Sequence, residues 1–298
     1  MSERPMLTYA LITPAFNEER HLEGLITSVA SQTVRPVRWV VVSDGSTDRT
    51  DDIVRSHAVR HPWLVLLRRE RKSERHFAGK AHAVNAAYDA LRGLDFDLVG
   101  NLDADITLPS DYYEFLIGRF IEMPTLGVAG TPFVEDMNRP DAHSYAHRFA
   151  DLNHVSGACQ FFRRRCFEEI GGYMPVKEGG IDWVAVTTAR MRGWTTRTFV
   201  EKTCFHHRTM GTADRNPLRA RFRHGREEYL VGNHPLWQVM RGVFQMKNRP
   251  LIVGGLSLLL GYMSAWLFRT PSPVPPALRA FHRDEQLIRL RRIVGLAS

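Results

Sequence analysis

Asp97-Leu98-Val99-Gly100-Asn101-Leu102-Asp103-Ala104-Asp105 carries an uncharged run straight into two carboxylates one residue apart. The run predicts a buried strand. Side chains alternate along a strand, so Asp103 and Asp105 fall on one side where it ends, close enough to share a divalent cation. The carboxyl ends of α/β strands are where such sheets bind ligands. A hard cation held by one or two carboxylates keeps positions open for phosphate oxygens. The pair thus points to a diphosphate held through metal. Acids are also common in turns, and the pair alone fits solvated loop residues equally well.

Strands and helices alternate on either side of this run. Leu7–Thr13 reads as a first strand stopped by Pro14, and Glu18–Ser31 as a helix with Leu22, Leu25, Ile26 and Val29 at helical spacing. Val37–Val42 is a second strand. Asp48 or Ser46 can cap a helix running to about His61, and Trp63–Leu67 follows as a third strand. Gly79–Leu91 and Tyr112–Met123 read as further helices. The pattern predicts an α/β, Rossmann-like fold, a mostly parallel sheet with helices on both faces. Beyond Gly130 the alternation weakens, and an acceptor-side half is expected to about Gly211. The expected domains are thus 1–211, with a nucleotide half over 1–130, and a helical region over 212–298.

A chain of 298 residues that is 44% hydrophobic can bury one large α/β domain with an extension. Its net charge of +8 calls for an anionic partner: a phosphorylated substrate, an anionic membrane or nucleic acid. No nucleic-acid module is recognisable, which disfavours the last. Cys159, Cys166 and Cys204 have no framework spacing, and the amino terminus resembles no signal peptide, so a cytoplasmic body is expected.

The last third differs in character. Arg215–Arg226 interleaves arginines with Leu218 and Phe222, and Leu251–Phe268 is uncharged, near the lower limit of about 17 residues for spanning a bilayer. Arg249 and Arg269 flank it on both sides and assign no orientation. Gly254, Gly255 and Gly261 suit a close-packed or re-entrant helix. A proline-rich linker, Pro271–Pro276, leads to Arg279–Val294, which looks like an interfacial helix on anionic lipid. A basic region held at the inner face of the cell membrane is the expectation; a buried soluble helix is the alternative for Leu251–Phe268.

Two further strand ends carry polar residues: Thr13-Pro14-Ala15-Phe16-Asn17-Glu18 and Val42-Ser43-Asp44-Gly45-Ser46-Thr47-Asp48. In a parallel sheet both lie on the same edge as Asp103. Asp44 there can accept hydrogen bonds from a base or ribose, and Gly45 permits close backbone approach. Lys80, at the start of a helix in Gly79-Lys80-Ala81, suits phosphate.

In order and spacing these segments, with Asn85 and Asp103-Ala104-Asp105, resemble the family 2 glycosyltransferases of GT-A fold, over about Leu7 to Gly211. The resemblance implies a nucleotide-diphosphate sugar donor, a divalent metal (Mg or Mn) and transfer with inversion. By it, Pro14, Ala15, Glu18 and Asp44 would belong to the nucleotide-sugar pocket, with Lys80 near it or the phosphates. Asp103 and Asp105 would serve ribose and metal. Inverting transfer needs a base opposite the leaving group. Asp182, in Glu178-Gly179-Gly180-Ile181-Asp182-Trp183 before Arg190-Met191-Arg192-Gly193-Trp194, aligns as that base. Ile181 stands where the family usually has another acid. Gly157 and Ala158, in Ser156-Gly157-Ala158-Cys159, resemble the acceptor loop, with Trp183 also on the acceptor side. His206-His207-Arg208 matches the place of a carboxyl-terminal metal histidine, and His207 is slightly favoured over His206.

A saccharide acceptor, possibly lipid-linked, completes the expectation. The competing classes are a nucleotidyltransferase, which would release pyrophosphate, and a non-catalytic basic binding protein. His143 with His147, and Cys204 with His206 and His207, are weak metal patterns that lack a third or fourth ligand.

Overall fold

Every residue of Leu98–Leu102 is buried in a strand. In the computed structural model, which describes residues 6–70, 77–136, 143–145, 151–208, 216–247, 250–293 and 295, this segment is the fourth strand of an α/β unit. In chain order the strands are β1 (Tyr9–Ala15), β2 (Arg38–Asp44), β3 (Leu64–Arg69), β4 (Leu98–Leu102), β5 (Ile106–Thr107), β6 (Leu126–Gly130), β7 (Phe133–Val134), β8 (Cys159–Arg163), β9 (Thr195–Thr198) and β10 (Cys204–His206). The main sheet runs β3-β2-β1-β4-β8-β6-β9, and β5-β10-β7 form a small second sheet. Only β8 is antiparallel to its neighbours in the main sheet. Parallel pairing sends the ends of β1, β2 and β4 to one edge, as the sequence predicts.

The helices of this unit are α1 (Leu22–Ala30), α2 (Thr50–Ala58), α3 (Phe77–Leu91), α4 (Tyr112–Glu122), α5 (Arg164–Glu169) and α6 (Ile181–Met191). Alternate residues of β1 explain the layers. Tyr9 and Leu11 join a core with Leu22, Leu25 and Ile26 of α1 and Tyr113 and Leu116 of α4. On the other face α3 packs on β1 and β2, Phe162 meets Phe167 and Tyr173 edge to face, and Tyr88 lies tilted against Phe167.

Several expected boundaries shift for local reasons. β1 continues through Pro14 to Ala15, because pairing with β4 stops at Ile12 and beyond it β1 has one ladder neighbour, where a missing N–H is tolerated. The first helix begins at Leu22 rather than Glu18. Asn17, at φ 55°, and the turn after it are folded into the sheet edge. Ser46 does not cap α2; Asp48 does the local work, accepting the Thr50 N–H at 3.0 Å. α3 starts two residues before Gly79, so Lys80 lies within its first turn.

By contact the chain divides into Met1–Lys177 with Ile181–Arg208, and Glu178–Gly180 with Thr209–Ser298. The second unit consists of α7 (Pro217–Leu230), α8 (Pro235–Gln245), α9 (Leu251–Leu267) and α10 (Pro276–Ile293). Asn216 caps α7 through bonds from Leu218 and Arg219 N–H. The glycines make close packing possible. A Cβ on Gly225 would meet the Leu258 carbonyl oxygen at 1.9 Å, and one on Gly261 the Phe222 carbonyl at 2.0 Å, so α7 and α9 touch backbone to backbone. Asn233 ties the helices together: its carboxamide oxygen meets His282 and Gln286 at 2.9 Å each, and its carbonyl accepts the Tyr262 hydroxyl at 2.7 Å. The proline-rich stretch is packed rather than a free linker, with Val274 buried and Ser272 bonded to the Leu230 carbonyl. Among the described residues no helix is long and apolar enough to cross a membrane. The expected boundary at Gly211, and His147, Arg215, Arg249 and Val294, lie outside the described residues.

Candidate active site

The loops that leave β1 and β2 are laced to each other. Asn17 N–H donates to Ser46 Oγ at 3.2 Å, and Asn17 Oδ1 accepts Thr47 N–H at 2.9 Å. Glu18 N–H donates to Thr50 Oγ1 at 2.8 Å, Glu19 N–H to Asp48 at 3.0 Å, and Arg49 N–H to Glu19 at 3.2 Å. Burial works against the Asp48 carboxylate, but the Thr50 and Glu19 hydrogen bonds outweigh it and hold its pKa below the usual value. Asp44 ends β2, followed by Gly45 at φ 75°. Pro14 and Ala15 close β1 beside it, pairing with Val42 and Ser43.

β4 stops at Leu102, so Asp103 and Asp105 sit in the turn to β5, not on a common strand face as expected. They take different partners. Lys80 Nζ lies 2.5 Å from Asp103 Oδ1, while Asp105 Oδ2 lies 3.3 Å from Arg208 Nη1 and Asp105 Oδ1 lies 3.7 Å from His206 Nε2. Enclosure raises the Asp103 pKa; Lys80 opposes the rise and the Asp105 charge adds to it.

Register sets the two histidines in different surroundings. β10 pairs antiparallel with β5, His206 opposite Ile106, which brings the His206 ring beside Asp105. The His207 ring instead meets Thr107 Oγ1 at 3.3 Å and lies edge-on to Phe205. The His206 ring, and not the favoured His207 ring, therefore lies beside Asp105. Arg208 grips Glu18 with both Nη atoms, at 2.8 and 2.5 Å, and these bonds hold its pKa above the ordinary value. No motif announced that pairing across 190 residues.

Asp182 lies in the first turn of α6, and its Oδ2 accepts the Gly157 N–H at 3.1 Å. The Gly157 carbonyl, in the next peptide group, accepts Lys80 Nζ at 3.3 Å and Asn101 Nδ2 at 3.1 Å. The two peptide groups on either side of the Gly157 Cα therefore join Asp182 to the Lys80–Asp103 pair. Gly157 has no room for a side chain: a Cβ there would come within 2.9 Å of Asp182. Ala158 is buried, and its carbonyl accepts the Asp103 N–H at 2.9 Å, while Trp183 is half-buried on α6. Ile181 is buried, so its place is inside the unit. His154 stands in no motif. Its burial pulls the imidazole pKa below the ordinary value, and the Asp182 charge pulls the other way.

The donor set suits a hard divalent cation only in part. Among the described residues no group of three or more His, Cys, Asp or Glu closes around a metal. Asp105 with His206 offers one carboxylate and one imidazole, the kind of open set that substrate oxygens complete. The weak patterns do not gain ligands. His143 Nδ1 accepts the Tyr145 N–H, and Cys204 faces the buried, free thiol of Cys159 at 3.4 Å.

Comparison with known proteins gives a consistent frame. Residues 10–171 match the model of "Glycosyl transferase family 2". The succinoglycan biosynthesis protein ExoA of Rhizobium meliloti (strain 1021) is 28% identical over 179 residues, covering 55% of this chain and 52% of that protein. The poly-beta-1,6-N-acetyl-D-glucosamine synthase of Staphylococcus epidermidis is 22% identical over 178 residues, 54% of this chain and 41% of that one. The chain spans about half the length, or less, of these curated relatives. The mannosyltransferase PcManGT from Pyrobaculum calidifontis, solved in complex with GDP-Man and Mn2+, superposes with a TM-score of 0.56 at 23% identity, covering 100% of this chain and 82% of that one.

Proposed function

The chain belongs to glycosyl transferase family 2 and has the GT-A fold, and from that premise we propose that it moves a sugar from a nucleotide-diphosphate donor to a saccharide acceptor, with inversion, in polysaccharide or glycan biosynthesis. The Gly157 backbone carries the reading. It sets Asp182 one hydrogen bond from a backbone that Lys80 and Asn101 hold on the donor side. A base and a leaving-group cation held by the two peptide groups of one residue suit in-line displacement.

In this reading the Ala15–Glu18 and Asp44–Asp48 loops hold the nucleoside, Asp103 the ribose, and Lys80 and Arg208 the diphosphate oxygens. Asp182 takes the proton of the acceptor hydroxyl as that oxygen bonds to the anomeric carbon, and the bond from this carbon to the diphosphate breaks. A divalent cation, Mg or Mn, would be held by Asp105 and His206 and would neutralise charge on the departing diphosphate. Gly157, Ala158 and Trp183 face the acceptor. The first unit performs transfer. The second, basic unit rests on an anionic membrane surface at the inner face of the cell membrane, where a lipid-linked saccharide would be presented.

A panel of nucleotide sugars, each titrated with and without Mn2+, tests the donor assignment. One donor near saturation should raise the melting temperature by roughly 5 °C, in a metal-dependent way. Turnover should then release nucleoside diphosphate. Release of pyrophosphate from a nucleoside triphosphate would overturn the reading in favour of nucleotidyl transfer. A second test concerns the peptide. Gly157→Ala should displace Asp182 and lower kcat by roughly 10–100-fold while nucleoside diphosphate affinity changes little. Equal losses in affinity and kcat would place Gly157 in donor binding instead.

A further inference from the structure

Two rows of apolar side chains in the second unit are exposed among the described residues. On α9, Leu256, Leu260, Met263 and Trp266 are 45–61% exposed, and on α8, Val239 and Val243 are 53–54% exposed. The two helices pack antiparallel: Gly242 of α8 meets Leu259, and Gly255 of α9 meets the Gly242 carbonyl and Met246. Helical phase then puts both rows on one side of the pair, as a continuous apolar face. Isolated exposed apolar residues need no explanation, but a contiguous face does.

Charge identifies what covers it. Residues 209–298 hold fourteen Lys and Arg against five Asp and Glu, while residues 1–208 hold twenty-six against twenty-seven. All of the excess positive charge therefore belongs to the unit with the bare face. Exposed Lys247 follows α8, and exposed Arg269 follows Trp266 and Phe268 at the end of α9. Apolar and aromatic side chains bordered by cations match the boundary between headgroups and acyl chains of an anionic bilayer. A second copy fits poorly, because two such units would meet with like charge. Spanning fits poorly too. α9 has 17 residues, and its opposite face is fixed against the α7 backbone at Gly261 and Leu258.

We propose that α8 and α9 lie in the plane of an anionic membrane as a monotopic wedge, with Leu256, Leu260, Met263 and Trp266 sunk about 5–10 Å into the boundary. This rests on the membrane association stated above and specifies how it is made. Trp266 is a built-in probe. The full-length chain is mixed with phosphatidylcholine vesicles, with and without phosphatidylglycerol, carrying lipids brominated either near the headgroup or at the acyl-chain end. The wild type should bind the anionic vesicles, and headgroup-proximal bromine should quench its fluorescence most. Trp266→Phe should remove most of that quenching. Leu256→Glu with Leu260→Glu should lower partitioning by ~100-fold or more, with the far-UV circular dichroism unchanged.

Four outcomes overturn the wedge. If the doubly substituted chain binds as the wild type does and Trp266 stays unquenched, surface charge alone holds the protein, and the membrane reading survives without the wedge. If the wild type binds no vesicle, the membrane reading itself fails. Strongest quenching from the acyl-chain end means a spanning helix. A wild-type dimer that the double substitution dissociates, with no lipid quenching, assigns the face to a second copy.

Discussion

Asp182→Asn is expected to bind nucleoside diphosphate as the wild type does and to lose transfer by about 10³-fold. The substitution isolates proton transfer from placement. An asparagine carbonyl oxygen can still accept the Gly157 N–H that Asp182 Oδ2 accepts at 3.1 Å, so the loop keeps its position. What disappears is a group able to take the acceptor proton as the new bond forms. The comparison needs kcat at saturating donor and acceptor beside the thermal shift given by the nucleoside diphosphate. Turnover within a few-fold of wild type would remove Asp182 from the chemistry and leave it as a support for the Gly157 loop.

Asp105→Ala is expected to abolish most of the metal-dependent part of donor binding, a loss of about 10–100-fold in affinity in the presence of Mn2+. Binding without metal should change far less. The substitution is also gentle to the fold for a buried carboxylate. Arg208 keeps both bonds to Glu18, so no guanidinium is stranded, and His206 remains in its strand. Calorimetric titration of nucleoside diphosphate with and without Mn2+ separates the two contributions. Equal metal dependence in variant and wild type would move the cation away from Asp105 and His206.

Much of the fold was legible in the sequence because its central strands, β1, β2 and β4, are buried and read as largely apolar runs. Leu98–Leu102 is the clearest case, matching β4 residue for residue. Boundaries were less legible where polar loops compete with the elements beside them. The turn at Asn17–His21 looks helical by composition, yet its backbone N–H groups are taken by Ser46, Thr50 and Asp48 from a loop some thirty residues away. The candidate site divided in the same way. Asp44, Lys80, Asp103, Asp105 and Asp182 stand in local motifs, and each could be named from a few neighbours. That His206 rather than His207 stands beside Asp105 depends on the register of a three-residue strand against β5, and the Arg208–Glu18 pair on residues brought together by the whole unit. No local spacing carries either one. In the last third, Gly254, Gly255 and Gly261 suggested close packing, but only the paired helices reveal which face that packing leaves bare.

The lacing of the β1 and β2 loops bears on the thermodynamics of recognition. Five hydrogen bonds already join Asn17, Glu18 and Glu19 to Ser46, Thr47, Asp48, Arg49 and Thr50. Fixing a loop residue costs about 1–2 kcal/mol in backbone freedom, and here that loss takes place as the chain folds rather than when a ligand arrives. A nucleoside would therefore meet a rigid mould. Its association should be close to a single encounter step, with a small heat-capacity change and no slow ordering phase, whichever sugar it carries.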